Sequence, residues 1–440
     1  AEGGVDEGFP AVERQEPRAN LGKLSPGFWG VHPKGCAHGI HSAHCGEIAD
    51  GWRVRELAKM PHELLERLCT LLHIIEETGQ WPKAITIGLV SPLSKGEGQT
   101  AADIRPITVM SVIYRAWAAT RVQELIQWQK SWISHHVASY RPFLGCEDAW
   151  LGQTLELEHA LLTGKDLLGC GLDFSKAFDR LPQGILLQLA QHMGMEENVL
   201  RALRGMYAQG VRRFKVGPFV GQEFASSNGI LQGCPMSVVL LNAFVQVWVI
   251  LVASRVPDAS PRAYADDLAT TAPSYRSLQK VLALTSQFAR ATGMRLNVKK
   301  CWVWASNPDC RKQLVRCHIS GERVPIVAEE RYLGAYLGFS KQRRKTRVDH
   351  KASQCRNICE RIEMLGLPLE ARAILAGTAV VPKALYACAA APPSKKALHS
   401  LRARVARAVW GQGNLWRANE ILFTILTKGH IVDPVQAFGY

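Results

Sequence analysis

The spacing of apolar side chains changes several times along the chain, and each change marks an element. From Met60 to Glu77 they recur at helical intervals, with Leu64, Leu65, Leu68, Leu71, Leu72 and Ile75 in register, which predicts a helix. The period then shortens. Ile85, Ile87, Leu89 and Val90 read as a strand, Ser94-Lys95-Gly96-Glu97-Gly98 as a turn, and Ile104-Arg105-Pro106-Ile107 as a second short strand. A further helix is expected from about Ser111 to Lys130. Residues 166–172 form a compact apolar run that ends on Asp173, the pattern of a buried strand with an acid at its tip. A helix follows, with Pro182 near its first turn and Ile185, Leu186, Leu189 and Met193 on one face. Between Arg262 and Thr271 two short runs flank Asp266-Asp267, which predicts a hairpin.

The most apolar stretch runs from Val238 to Ala253 and contains Asn242 and Gln246. At 16 residues it falls short of the ~20 that a membrane-spanning helix needs, so it reads as a buried core helix and no membrane partner is expected. Strands and helices alternate without a regular βαβ rhythm, and no internal repeat is found. The expected fold class is α+β, with helices on one face of an antiparallel sheet.

With 440 residues and 47% apolar side chains, the chain can build several cores and is not a disordered polymer. Its formal charge of +15 points to a polyanionic partner. The excess is concentrated: residues 341–440 hold 17 Lys/Arg against 6 Asp/Glu. The densest cluster is Lys341, Arg343, Arg344, Lys345 and Arg347. Later, Leu401, Val405 and Ala408 mark one helical face, with Arg402, Arg404 and Arg407 largely off it, an arrangement suited to packing on one side and tracking phosphates on the other. Trp410 and Trp416 read as core residues rather than base-stacking ones. The twelve cysteines lack the spacing of a disulfide framework and read as reduced thiols of an intracellular protein, nuclear or cytoplasmic. Residues 1–50 read as an irregular leader without a secretory signal. The start at Ala1 and the end at Gly439-Tyr440 suggest a fragment. Cys36, His38, His41, His44 and Cys45 are capable of binding metal, but their spacing fits no zinc pattern.

Adjacent carboxylates at a hairpin tip resist joint ionisation. Asp266 and Asp267, joined by Asp173 from another strand, form an all-oxygen set suited to Mg²⁺ or Mn²⁺. Three such acids can hold two ions ~3.5–4 Å apart for phosphoryl transfer. The alternative is a solvated turn, where Asp is common.

The surrounding residues carry a resemblance. Tyr264-Ala265-Asp266-Asp267 resembles the YxDD box of reverse transcriptases. Leu172-Asp173-Phe174-Ser175-Lys176-Ala177-Phe178-Asp179 resembles the first catalytic block of their non-LTR retrotransposon (LINE-type) branch, and Asn228 to Ser237 resembles the block between the two. Arg105-Pro106-Ile107 is similar to the fingers motif. Gly293 to Lys300 and Tyr332-Leu333-Gly334 are similar to the two blocks that follow. All six stand in the family's order over about residues 84–410. Ser139 to Gly145 matches its block only loosely, and no endonuclease or RNase H block is recognised.

The resemblance implies a right-hand polymerase, with fingers at 51–172, palm at 173–340 and a thumb with C-terminal extension at 341–440. It implies an RNA-directed DNA polymerase adding dNTPs to a primer 3′ end, from a retrotransposon polyprotein. The partners would be an RNA template and a DNA primer or RNA–DNA hybrid, with the nicking activity on a missing part or another protein. It assigns two Mg²⁺ (or Mn²⁺) ions to Asp173, Asp266 and Asp267, and protonation of the leaving pyrophosphate to Lys300. It assigns nucleotide binding to Lys95, Arg105, Phe178, Gln232 and Gly233, with Phe178 as the gate against a 2′-hydroxyl. Tyr332, Leu333 and Gly334 become the primer grip, and the 341–347 cluster a nucleic-acid contact. Asp179 is expected to orient a neighbour or cap a helix. The alternative is a catalytically inactive, polymerase-like RNA-binding or maturase-like protein.

Overall fold

The computed structural model describes residues 51–94, 104–339, 351–411, 418–427 and 432–439. Its strands include β1 (Ile87–Ser94), β2 (Ile104–Val109), β3 (Leu168–Asp173), β4 (Val211–Val216), β5 (Ser260–Tyr264), β6 (Asp267–Ala272), β7 (Trp302–Ala305), β8 (Glu329–Tyr332) and β9 (Ala335–Gly338). The main helices are α1 (His62–Thr78), α2 (Val112–Lys130), α3 (Cys146–Thr163), α4 (Gln183–His192), α5 (Glu197–Gln209), α6 (Pro235–Arg255), α7 (Tyr275–Ala291) and α8 (Lys395–Trp410). The chain forms two compact units, one from Ala1–Ser134 with Lys176–Phe244, the other from His135–Ser175 with Val245–Tyr440.

In the first unit, α1 buries Leu68, Cys69, Leu72 and Ile75 and stops at Gly79, whose left-handed backbone caps Ile75 O. The Ser111 hydroxyl accepts from Ile113 N–H and starts α2. Buried Glu76 of α1 receives Arg121 Nη2 at 2.5 Å and Trp117 Nε1 at 2.7 Å, both from α2. The sheet runs β2-β1-β4, extended by two-residue strands at Phe219–Val220 and Phe224–Ala225. β1 and β2 are antiparallel, and β1 and β4 are parallel. Parallel pairing needs a long crossover, and the intervening helices supply it. The first strand also begins later than its apolar residues suggest, because Lys83–Thr86 forms a helical turn.

The second unit holds a four-stranded antiparallel sheet in the order β5-β6-β3-β7. The amphipathic helix α7 packs along β3 and β6, burying Leu278, Val281, Leu282 and Phe288. The sheet is covered on its other face as well. Trp302, Trp304 and Phe339 stack there with Trp150 and Leu157 of α3 and with the β8–β9 hairpin. Two glycines of β3 make this possible. Gly169 pairs with Trp304 and Gly171 with Trp302, and a Cβ on either would stand 2.5 Å or 2.2 Å from an indole.

Helix α6 gives its N-terminal half to the first unit and the rest to the second. It is the one helix among the described residues long and apolar enough to cross a membrane, and 72% of its most apolar window is buried inside the protein. Asn242 and Gln246 are buried with it, and Asn242 Nδ2 donates to Gln129 Oε1. That is the behaviour of a core helix.

The C-terminal helix α8 buries Leu398, Leu401, Val405, Ala408 and Val409, as its periodicity predicts, with Trp410 packed against the same core. Its arginines differ from expectation. Arg402 is paired at 2.8 Å with Asp433, which is 1% exposed, and Arg407 is paired at 3.0 Å with Glu363. Arg402 is thereby committed inside the protein rather than left along a phosphate track, whereas Arg407 is 70% exposed and pairs at the surface. Lys341, Arg343, Arg344, Lys345, Arg347 and Trp416, like residues 1–50 and Lys95, lie outside the described residues.

Candidate active site

In the β3–β6 ladder Asp173 stands directly opposite Asp267. Like charges in that position destabilise a sheet, so the sequence accepts a penalty here. The backbone around Asp173 is fixed on both sides. Its N–H points to the Cys301 thiol at 3.5 Å, and its carbonyl accepts from Asn297 N–H at 2.8 Å. Ser175 N–H adds a bond to Arg295 O. The segment 295–301 thus wraps the tip of β3 and delivers Lys300, whose Nζ lies 3.9 Å from Asp173 Oδ2.

The β5–β6 connection is a two-residue turn closed by the Tyr264–Asp267 pair. Its first residue, Ala265, sits at φ +54, a region that a side chain disfavours. Strained residues of this kind collect at functional sites and persist where their surroundings over-determine them. Here the surroundings are substantial. Ala263, two residues earlier, exchanges backbone bonds with the 136–138 strap. On the same strand Arg262 reaches both Glu156 of α3 and Thr271 of β6.

Electrostatics agree with the geometry. Crowding by protein pushes the Asp267 carboxyl up to about 6; Asp266 and Asp173 push it the same way, and Lys300 opposes them. Asp267 still shows surface to solvent, so a cation from solution can reach it. Among the described residues, no three His, Cys, Asp or Glu side chains already converge into a metal cage. The acids instead sit as repelling neighbours, with one lysine at the edge. Three hard oxygen donors with surplus negative charge fit Mg²⁺ or Mn²⁺.

The first unit gathers the nucleotide-binding candidates that lie within it. Arg105 is exposed on β2. On the same strand, Thr108 N–H donates to Gln232 O at 2.9 Å. Gly233 follows at φ +106, where a Cβ would stand 3.0 Å from Thr108 O, so only glycine lets these backbones approach. Gln232 Nε2 donates to Asp179 Oδ1 at 2.9 Å. Asp179 therefore orients a neighbour. Phe178 is half-buried rather than a core residue, and its carbonyl accepts from Ile230 N–H at 2.7 Å.

Tyr332-Leu333-Gly334 forms the turn of the β8–β9 hairpin, closed by the Tyr332–Ala335 pair. Leu333 and Gly334 both have positive φ, 47 and 82, the type I′ pattern of a two-residue hairpin. Tyr332 is 4% exposed and packs edge-on to Trp302. Among the described residues its hydroxyl has no hydrogen-bond partner. Burial first, and then the charge of Asp267, raises its pKa. Cys301 and Glu156 have no motif to mark them in the sequence, and Asn297 lies in the Gly293–Lys300 block without its backbone bond to Asp173 being legible there. The glycine–tryptophan pairing had a signal: Gly169-Cys170-Gly171 matches Trp302-Val303-Trp304 in spacing.

The family model for reverse transcriptase (RNA-dependent DNA polymerase) matches residues 94–363, well over half of the chain. A Pol polyprotein from the retrotransposable element R2DM of Drosophila melanogaster is 26% identical over 311 residues, covering 67% of this chain and 26% of that protein. An R2 polyprotein of Popillia japonica is 28% identical over 163 residues, covering 34% of this chain and 27% of that one. An uncharacterized 149 kDa protein of transposon TX1 from Xenopus laevis is 25% identical over 236 residues, 50% of this chain and 18% of its own. The chain thus spans about a quarter of the length of the first two of these relatives. Among solved structures, telomerase from Candida albicans in complex with a fragment of telomeric RNA aligns with TM-score 0.46 and 11% identity, over 84% of this chain and 71% of that one. Apo telomerase from Candida tropicalis aligns with TM-score 0.44 and 13% identity, over 63% and 59%. With the family match over more than half of its length and its R2-like relatives, this α+β chain belongs to the reverse transcriptase family, in the non-LTR retrotransposon branch.

Proposed function

We propose that this chain extends a primer 3′ end with dNTPs on an RNA template, as the polymerase part of a retrotransposon polyprotein. The observation that carries the reading is the Asp173–Asp267 pair, with Asp266 beside it, in a chain that the family model spans from 94 to 363. Divalent-metal use comes with the family. We assign the metal to Asp173, Asp266 and Asp267, as two Mg²⁺ or Mn²⁺ ions. Bound there, they would neutralise phosphate charge and lower the pKa of the attacking hydroxyl. Lys300 Nζ donates a proton to the leaving pyrophosphate oxygen; its side chain is 67% exposed, free enough to follow that group. Arg105 takes the triphosphate in bidentate fashion and Lys95 acts as a point charge. Phe178 excludes the 2′-hydroxyl, Gln232-Gly233 lies along the incoming nucleotide, and Tyr332-Leu333-Gly334 holds the primer end.

In this reading residues 51–172 act as fingers, 173–340 as palm and 341–440 as thumb, with Lys341, Arg343, Arg344, Lys345 and Arg347 on the RNA–DNA hybrid. Endonuclease activity belongs to another part of the polyprotein or to a separate protein. The test is primer extension on an RNA template with Mg²⁺ or Mn²⁺, offering dNTPs or NTPs. Extension with dNTPs alone supports the reading. Extension with NTPs contradicts the gate at Phe178, and none with either contradicts catalysis and favours an inactive RNA-binding scaffold.

A further inference from the structure

The Leu333-Gly334 turn is tied down at both of its carbonyls by side chains from a later part of the chain. The Tyr386 hydroxyl donates to Leu333 O at 2.8 Å. The Lys351 ammonium donates to Gly334 O at 2.7 Å and to Tyr386 O at 3.0 Å. It also lies 5.3 Å from the centre of the Tyr336 ring and 5.0 Å from that of Tyr386, within range of cation–π attraction to both. Burial, and then Arg331, push this lysine below its ordinary pKa, with Cys388 opposing them. The Tyr386 ring also closes over the turn, since a Cβ on Gly334 would stand 3.0 Å from a ring carbon. Leu333 at φ +47 is a bulky residue in a backbone region it rarely adopts. Such a conformation needs outside support to persist, and these bonds supply it.

We propose that Lys351 and Tyr386 are positioning residues for the primer terminus, locking the Leu333-Gly334 turn so that it presents the 3′ end in one place. The proposal rests on the primer-grip reading above and deepens it. Neither side chain is asked to touch primer or nucleotide. Each acts through a turn carbonyl, so their loss should affect placement and not hybrid affinity.

The variants are Tyr386→Phe, which removes one hydroxyl, Lys351→Met, which keeps the stem without the charge, and Lys351→Arg, which keeps charge and N–H donors. Two measurements are made on the full chain: single-nucleotide addition to an RNA–DNA primer–template, and hydrogen exchange of residues 329–338. Ångström-scale misplacement of reacting groups costs up to ~10²-fold. Tyr386→Phe and Lys351→Met should therefore lower kcat about tenfold at unchanged primer–template affinity, and should speed exchange in the turn. Lys351→Arg should recover part of both losses. The double variant should be no worse than the poorer single one, because both act on one turn. Unchanged exchange in both variants would show that the turn holds itself and would overturn the lock. Faster exchange at unchanged kcat would overturn the link to the primer. If the wild-type chain extends no primer, the polymerase reading fails separately, and exchange alone decides the lock.

Discussion

The tip of the β3–β6 ladder and the outer face of α8 are both crowded with charge, and they handle it in opposite ways. At the tip, Asp173 faces Asp267 with Asp266 alongside, and Lys300 reaches only to 3.9 Å. Along α8, Arg402 is matched by buried Asp433 and Arg407 by Glu363. The first arrangement raises the free energy of the isolated fold, because like charges face one another across the ladder. In the second, each of these two arginines has an acid within 3.0 Å. Density of charge is thus a poor guide to a binding site; like charges set against one another are a better one.

The contrast yields opposite mutational signatures. Asp266→Asn and Asp267→Asn should each lower kcat for nucleotide addition by at least ~10³-fold, the equivalent of several kcal/mol of lost metal catalysis. Neither should lower stability, because each removes repulsion. A urea midpoint at or above wild type, together with lost extension, is the expected pair of results. Arg402→Gln should do the reverse. Stranding buried Asp433 costs about 3–5 kcal/mol, read as a lower urea midpoint, while addition by the folded fraction stays near wild type.

The pH dependence separates the regions further. The Asp267 carboxyl is pushed up to about 6 from an ordinary value of 3.8, so the folded chain holds this proton more tightly than the unfolded one. Its contribution to stability is greatest below the unfolded value and is lost as pH rises through about 6. In metal-free buffer the difference in unfolding midpoint between wild type and Asp267→Asn should therefore change between pH 4 and pH 7, and Mg²⁺ should reduce that change. A constant difference would mean that the acids do not feel one another.

The smallest effect is expected from the basic cluster. Changing Arg343, Arg344 and Arg347 to Gln should flatten the log–log salt dependence of hybrid affinity by about 1–3 units. Identical slopes would make that cluster a solvated face.

Much of this architecture was legible in the sequence because local patterns and tertiary needs agree there. The helices at 62–78, 112–130 and 235–255 follow their apolar spacing, and β3 ends on its acid as an apolar run should. The parallel β1–β4 pair was not legible, since register between strands more than a hundred residues apart leaves no local trace. The acids of the site could be read from their improbable adjacency. Their supports could not: Cys301 and Asn297 act on backbone groups of Asp173, and the ties from Lys351 and Tyr386 end on carbonyls that every residue carries.

We propose that Asp173, Asp266 and Asp267 together bind a divalent cation, which relieves their mutual repulsion. The most direct measurement is Mn²⁺ binding followed by electron paramagnetic resonance, in wild type and Asp267→Asn, at pH 5 and pH 8. Metal and proton compete for the same carboxylate. Wild type should therefore bind Mn²⁺ more tightly at pH 8 than at pH 5, and Asp267→Asn should bind weakly at both. Equal Mn²⁺ affinity in the two proteins at pH 8 would contradict the account.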